Sequence, residues 1–241
     1  MPVSKSRIER GLQAVRENVA AACARTGRRP EEVSLVAVTK SVGVVEALAL
    51  LELGVSDLGE SRAQQLLARA EELAGCLQRR RNDPPAPVRW HMVGHLQRNT
   101  VRRVLDVVEA IHSVDSLRLA EEINARAERL GRRVDVMLQV NCSKEPQKYG
   151  VAVGAATHLG EMIASLPHLR LTGLMTLAEL TDDPETARPI FVRLRELFEE
   201  MRSSKTGGEA FRHLSMGMSQ DYPVAVEEGA TFLRIGTALF E

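Results

Sequence analysis

The chain has 241 residues, with 32 Lys and Arg against 32 Asp and Glu, 44% hydrophobic residues and 3% aromatics. That length accommodates one large domain or two small ones, and the hydrophobic share excludes a disordered chain. Zero net charge excludes a general nucleic-acid binder, which needs a basic excess to displace counterions.

Residues 4–25 carry Ile8, Leu12, Val15 and Val19 at spacings of three and four, which predicts an amphipathic helix. Val33-Ser-Leu-Val-Ala-Val38 is β-branched and nearly all apolar, the pattern of a strand buried on both faces. A helix over 44–53, closed by Gly54, comes next. The alternation continues with strands over 57–60, 88–93, 110–114, 134–141, 169–176, 211–216 and 232–235. Helices are predicted between them over 62–74, 99–107, 116–130, 152–164, 184–201 and 222–228. Eight strands, each but the last followed by a helix, imply a parallel sheet with its helices outside. In this length the pattern fits a single α/β domain over 1–241, a closed (β/α)8 TIM barrel, better than an open doubly wound sheet. Helix 4–25 is then an extra N-terminal helix, placed to fill the outer position after strand eight. The basic, proline-rich stretch 78–87 and the polar stretch 203–209 read as surface connections.

Cys23, Cys76 and Cys142 are scattered, with no CxxC spacing, so they read as buried, inert thiols and not as a disulfide framework or zinc site. The N-terminal segment lacks the apolar core of a signal peptide, and no apolar run reaches the ~20 residues of a membrane span. A soluble cytosolic protein without membrane contact is expected. His91 and His95 are four apart, but on a strand and turn they would stand ~13 Å from each other, so no metal site is expected.

A barrel carries its site at the C-terminal ends of its strands. Strand one ends in Thr39-Lys40, strand seven in Ser215-Met-Gly-Met-Ser219 and strand eight in Arg234-Ile-Gly-Thr237. Directly after an apolar run, the Lys40 amine would be partly desolvated and nucleophilic, suited to a Schiff base with an aldehyde. Position alone leaves this reading level with a lysine snorkelling to water. Gly217 and Gly236 allow backbone N–H groups to approach an anion, beside the hydroxyls of Ser215, Ser219 and Thr237. A Schiff-base lysine with a phosphate cradle suggests pyridoxal 5′-phosphate. Arg234, if inward, would meet the ring nitrogen with donors alone and weaken the ring as an electron sink. Position alone tips it outward, toward a helix carboxylate.

The residues then resemble a known family. The blocks are Leu35-Val-Ala-Val-Thr-Lys40, Gly59-Glu60, Trp90-His-Met-Val-Gly94, Leu96-Gln97-Arg98-Asn99, Ile111-His-Ser-Val-Asp115 and Gln139-Val-Asn141. They continue with Lys148-Tyr-Gly150, Gly173-Leu-Met-Thr176, Leu214-Ser-Met-Gly-Met-Ser219-Gln-Asp221 and Arg234-Ile-Gly-Thr237. In these the chain resembles the YggS/PROSC family of pyridoxal phosphate homeostasis proteins, which is similar in fold to the barrel domain of alanine racemases. The resemblance implies that Lys40 carries the cofactor as a Schiff base. It implies that Ser215, Gly217, Ser219, Gly236 and Thr237 surround the phosphate, with Met218 of the same loop among the cofactor-binding residues. It places Arg234 at the pyridine nitrogen. Where the family often has Asn and Tyr after Gly-Glu, this chain has Ser61 and Arg62.

The resemblance further implies a protein that holds, buffers or delivers pyridoxal 5′-phosphate without robust catalysis, by transient contact with apo enzymes. A monomer is expected, because the site is complete within one chain. The alternative is an amino-acid racemase, which needs acid/base groups on both faces of the substrate carbon. The tyrosines are Tyr149 and Tyr222, neither in an added domain, so a carrier is expected before an enzyme. A Schiff-base aldolase would share the lysine without needing the phosphate cradle.

Overall fold

Ser4 begins the first helix by accepting a hydrogen bond from the Arg7 N–H at 3.4 Å, and Gly27, at φ 67°, ends it in the left-handed region. Between them α1 (Lys5–Thr26) buries the predicted stripe of Ile8, Leu12, Val15 and Val19. The structure, a computed structural model, describes residues 3–79, 86–143, 149–179 and 181–241. Most of the stretch 78–87, and Lys148, lie outside the described residues.

The elements after α1 are β1 (Ser34–Val38), α2 (Val44–Glu52), β2 (Asp57–Glu60), α3 (Ala63–Gln78), β3 (Arg89–Met92) and α4 (Val101–Val104). Next come β4 (Val108–Val114), α5 (Leu117–Arg129), β5 (Val134–Asn141), β6 (Val151–Ala152) and α6 (Val153–Ala164). The chain continues through β7 (Leu169–Met175), α7 (Arg188–Ser203), β8 (His213–Ser215), α8 (Tyr222–Glu227), β9 (Phe232–Ile235) and α9 (Thr237–Phe240). Eight strands pair in parallel in the order β1-β2-β3-β4-β5-β7-β8-β9, and β9 returns to β1 with Val36 opposite Arg234. This is the expected closed (β/α)8 barrel with an N-terminal helix. The two-residue β6 is added against Val140 and Asn141 of β5.

Four elements depart from the sequence reading. The helix expected over 99–107 is a three-ten turn at Arg98–Thr100 followed by one turn of α4. The strand expected over 211–216 is reduced to β8, because a three-ten turn at Gly208–Ala210 still occupies the chain before Phe211. β6 and α9 were not foreseen, since two and four residues carry no readable period. Of the cysteines, Cys23 and Cys142 are buried as expected, whereas Cys76, late in α3, is partly exposed. Burial raises both buried thiols, Cys142 to about 11.

Helix α1 packs against α2, α8 and α9, closing the outer layer. The contact with α9 is backbone-close: a Cβ on Gly11 would stand 2.8 Å from the Ala238 carbonyl oxygen and 2.9 Å from that of Leu239. Ions and polar groups fasten the other end. Arg28 donates to the carbonyls of Val226 and Ala230 at 2.7 and 2.9 Å, and Arg25 pairs with Glu227 at 2.6 Å.

Period-two alternation sorts the barrel into two interiors. Ala37, Trp90, Met92, Ile111, Leu233 and Ile235 face outward into the large core beneath the helices. Val36, Val38 and Val93 form a separate small cluster with Phe232. The lumen also carries polar side chains, with His91, His112, Ser215 and Arg234 all buried where barrels usually stack branched aliphatics.

Substituting Gly11→Ala is expected to destabilise the fold by about 1–3 kcal/mol in urea unfolding, because the clash with α9 backbone outweighs the gain in helix propensity. Gly154→Ala in α6 meets nothing within 4 Å, and is expected to stabilise by up to about 0.5 kcal/mol.

Candidate functional site at the barrel mouth

Lys40 stands two residues beyond β1, in the turn closed by the Val42 N–H bonding the Thr39 carbonyl at 3.1 Å. Its side chain is exposed, not partly desolvated as expected, because the turn carries it past the last paired residues. Beside it the C-terminal end of β2 supplies a fully buried carboxylate. Glu60 Oε1 accepts from the Thr39 hydroxyl at 2.6 Å and lies 3.1 Å from Arg69 Nε of α3. Its Oε2 has no hydrogen-bond partner. Burial raises the Glu60 carboxyl, against the downward pull of Thr39, Arg69 and Lys40. Opposite, Gly94 is required by crowding, since a Cβ there would fall 2.1 Å from the Ser61 carbonyl oxygen.

The loop after β8 is held from two sides. Gly217 adopts φ 92°, and a Cβ on it would meet Ala225 Cβ at 2.6 Å. Its carbonyl accepts from the Arg234 N–H at 3.0 Å, tying the loop to β9. Asp221 Oδ1 accepts from the Met218 N–H at 2.6 Å. Burial raises the Asp221 carboxyl, and its Oδ2 has no hydrogen-bond partner. Ser219 Oγ accepts from the backbone N–H groups of Gly236 and Ala238 at 3.1 and 3.2 Å. Thus Met218, Ser219, Gly236 and the exposed Thr237 come together where the ends of β8 and β9 meet.

Arg234 points inward, 4% exposed, the orientation that the family resemblance implies, whereas position alone tips it toward a helix carboxylate. Its Nη1 donates to Ser215 Oγ at 2.7 Å and its Nη2 to the Thr176 carbonyl at 2.8 Å. Burial lowers the guanidinium to about 10, with Asp221 opposing, so it stays a cation at neutral pH. Ser215, which the resemblance puts around the phosphate, turns its hydroxyl into the lumen toward Arg234 and His112. The cause is register: Ser215 is the last residue of β8, on the inward phase of the strand.

Behind Ser215 runs a line of polar contacts that sequence reasoning missed. Ser215 Oγ lies 2.8 Å from His112 Nδ1, His112 Nε2 lies 3.0 Å from His91 Nδ1, and His91 Nε2 lies 2.9 Å from Asp57 Oδ1. Asp57 also takes Arg89 on both oxygens, at 2.7 and 2.5 Å. His95 is elsewhere, stacked on exposed Tyr149 with ring centroids 4.2 Å apart. The available signal was the inward phase shared by Asp57, His91, His112, Ser215 and Arg234 on β2, β3, β4, β8 and β9.

The chemistry of the mouth is therefore an exposed primary amine, a cluster of hydroxyl and backbone N–H groups, and an inward guanidinium. Asp57 should govern part of the acid stability. Burial raises its carboxyl, but hydrogen bonds from His91 and Arg89 outweigh that and bring it from 3.8 to about 2. A depressed carboxylate stabilises above its unfolded value, and that stability is lost as pH falls from 3.8 through about 2. Allowing for solvent at the strand end, about 1–2 kcal/mol is expected to disappear between pH 5 and 2. Urea titrations across that range should show this loss in the wild type and not in Asp57→Asn.

Known proteins share this arrangement of chain. Residues 11–241 match the family described as alanine racemase, N-terminal domain. The pyridoxal phosphate homeostasis protein of Aquifex aeolicus is 37% identical over 229 residues, 95% of each chain. A solved structure of an unknown protein from Bifidobacterium adolescentis superposes with a TM-score of 0.89 at 35% identity, covering 100% of this chain and 98% of that one. PipY of Synechococcus elongatus PCC7942, solved with PLP bound, gives a TM-score of 0.78 at 30% identity, covering 92% and 100%. The chain belongs to the family of pyridoxal phosphate homeostasis proteins, built on the alanine racemase N-terminal domain fold.

Proposed function

We propose that this barrel binds pyridoxal 5′-phosphate at its mouth, covalently at Lys40, and buffers or delivers it. The observation that carries the reading is the pairing of an exposed Lys40 at the end of β1 with an inward Arg234 on the neighbouring β9. That PipY, with its similar barrel, holds PLP supports it. The donor set suits the ligand group by group: an amine for the aldehyde, hydroxyl and N–H donors for the phosphate, and a fixed cation for the ring nitrogen.

Bound there, the cofactor would supply an electrophilic aldehyde and an electron-withdrawing ring. The chain's own residues do the rest. Lys40 holds the cofactor. Gly217, Met218, Ser219, Gly236 and Thr237 orient its phosphate. Arg234 offers donors alone and keeps the ring nitrogen unprotonated, which leaves the ring a poor electron sink. Carrier behaviour follows more readily than turnover. Tyr222, one candidate for a racemase acid, is packed in the outer core, where its hydroxyl accepts from Asn18 of α1 at 2.7 Å.

In this reading 1–241 acts as one cytosolic domain and a monomer, and hands its cofactor to apo enzymes by transient contact. Purified protein mixed with PLP is expected to show the visible absorbance of the lysine-bound cofactor, absent in Lys40→Ala. Loaded protein is expected to activate an apo enzyme faster than the free cofactor it releases. Alanine or serine racemisation at ordinary enzyme rates would overturn the carrier reading in favour of a racemase.

A further inference from the structure

The polar line through the lumen has a direction, and its two ends set it. At one end Asp57 is a carboxylate that only accepts, so His91 Nε2 carries the hydrogen between them. At the other end Arg234 only donates, so Ser215 Oγ accepts from it. Between His91 Nδ1 and His112 Nε2 there is one hydrogen. Placing it on His91 would make that ring a second buried cation, although Arg89 already neutralises both oxygens of Asp57. Placing it on His112 adds no charge and leaves His112 Nδ1 free to accept the Ser215 hydroxyl. Burial, with His91, Arg234 and His213 adding to it, holds the His112 imidazole well below its ordinary range, in keeping with a neutral ring.

We propose that Arg234, Ser215, His112, His91 and Asp57 form a one-directional hydrogen-bond chain in which the histidines and Asp57 are positioning residues for the guanidinium that meets the cofactor ring. Each group donates to the next, from cation to anion. Because its hydrogen is committed to His112, Ser215 turns only lone pairs toward Arg234. Loss of any link frees that hydrogen to compete with the guanidinium. The chain ends beyond the floor of the lumen, where Asp57 and Arg89 line a cavity of about 450 Å3 at the N-terminal ends of the strands. A change at that end is therefore felt at the mouth. This inference rests on the cofactor reading above, and its tests separate the two.

The first test needs no cofactor. Long-range 15N spectra of the imidazoles in cofactor-free protein should show His91 and His112 as neutral rings with the hydrogen on Nε2. An imidazolium at His91, or a hydrogen on Nδ1 of either ring, overturns the chain. The second test is titration with PLP, followed by absorbance. Asp57→Asn and His112→Leu are each expected to weaken binding about tenfold and to shift the band of the bound cofactor. His112→Asn, whose side-chain oxygen falls where Nδ1 lay, should recover most of both. If His112→Leu does not fold, the near-isosteric Asp57→Asn carries the same comparison. Uptake by the wild type with unchanged affinity and spectrum in the variants overturns this inference alone, while a wild type that takes up no PLP overturns the cofactor reading with it.

Discussion

A guanidinium buried inside a β-barrel is the constraint around which this molecule is arranged. Removing such a charge from water costs several kcal/mol unless its donors are met in good geometry. Arg234 meets that requirement with Ser215 and the Thr176 carbonyl, which fixes the ends of β7, β8 and β9 relative to one another. Its backbone N–H meanwhile holds the Gly217 carbonyl, so one residue anchors both the lumen and the loop above it. The polar layer beneath follows from the same demand, since each acceptor offered to the cation needs a partner of its own.

The outer layer serves the same end by different means. Helix α1 is pressed onto α9 through Gly11, and α9 begins at the residues whose N–H groups converge on Ser219. The position of the candidate phosphate loop thus depends on packing contributed by the start of the chain. Polar side chains in the lumen give up some aliphatic packing, and the large core between strands and helices, from Ile8 to Phe240, supplies most of the hydrophobic stabilisation.

Much of this was legible in the sequence. Alternating apolar runs and amphipathic stretches announce strands and helices, and strand ends announce the mouth, which is how Lys40 and the Ser215–Ser219 loop were found. The orientation of Arg234 was legible only through the family resemblance, because a single arginine in a four-residue strand has no pattern of its own, and its phase is set by pairing with β1. The lumen-facing hydroxyl of Ser215 was not legible for a similar reason: adjacency to Gly217 in sequence suggested a shared role, while Ser215 ends β8 and Gly217, at φ 92°, already belongs to the loop. The histidine line crosses β3 and β4, and contacts between strands leave no trace in local spacing.

The closure of the sheet carries a consequence for assembly. Lys40 follows the first strand and Arg234 stands in the last, and the two come to one seam only when β9 pairs with β1. A ligand gripping both therefore bridges the final seam of the barrel, its strand pairing of highest sequence separation and so of large loop-closure entropy. Occupancy would strengthen that seam by RT ln(1 + [L]/Kd). The folded fraction of the chain would then rise with the concentration of any ligand held across that seam.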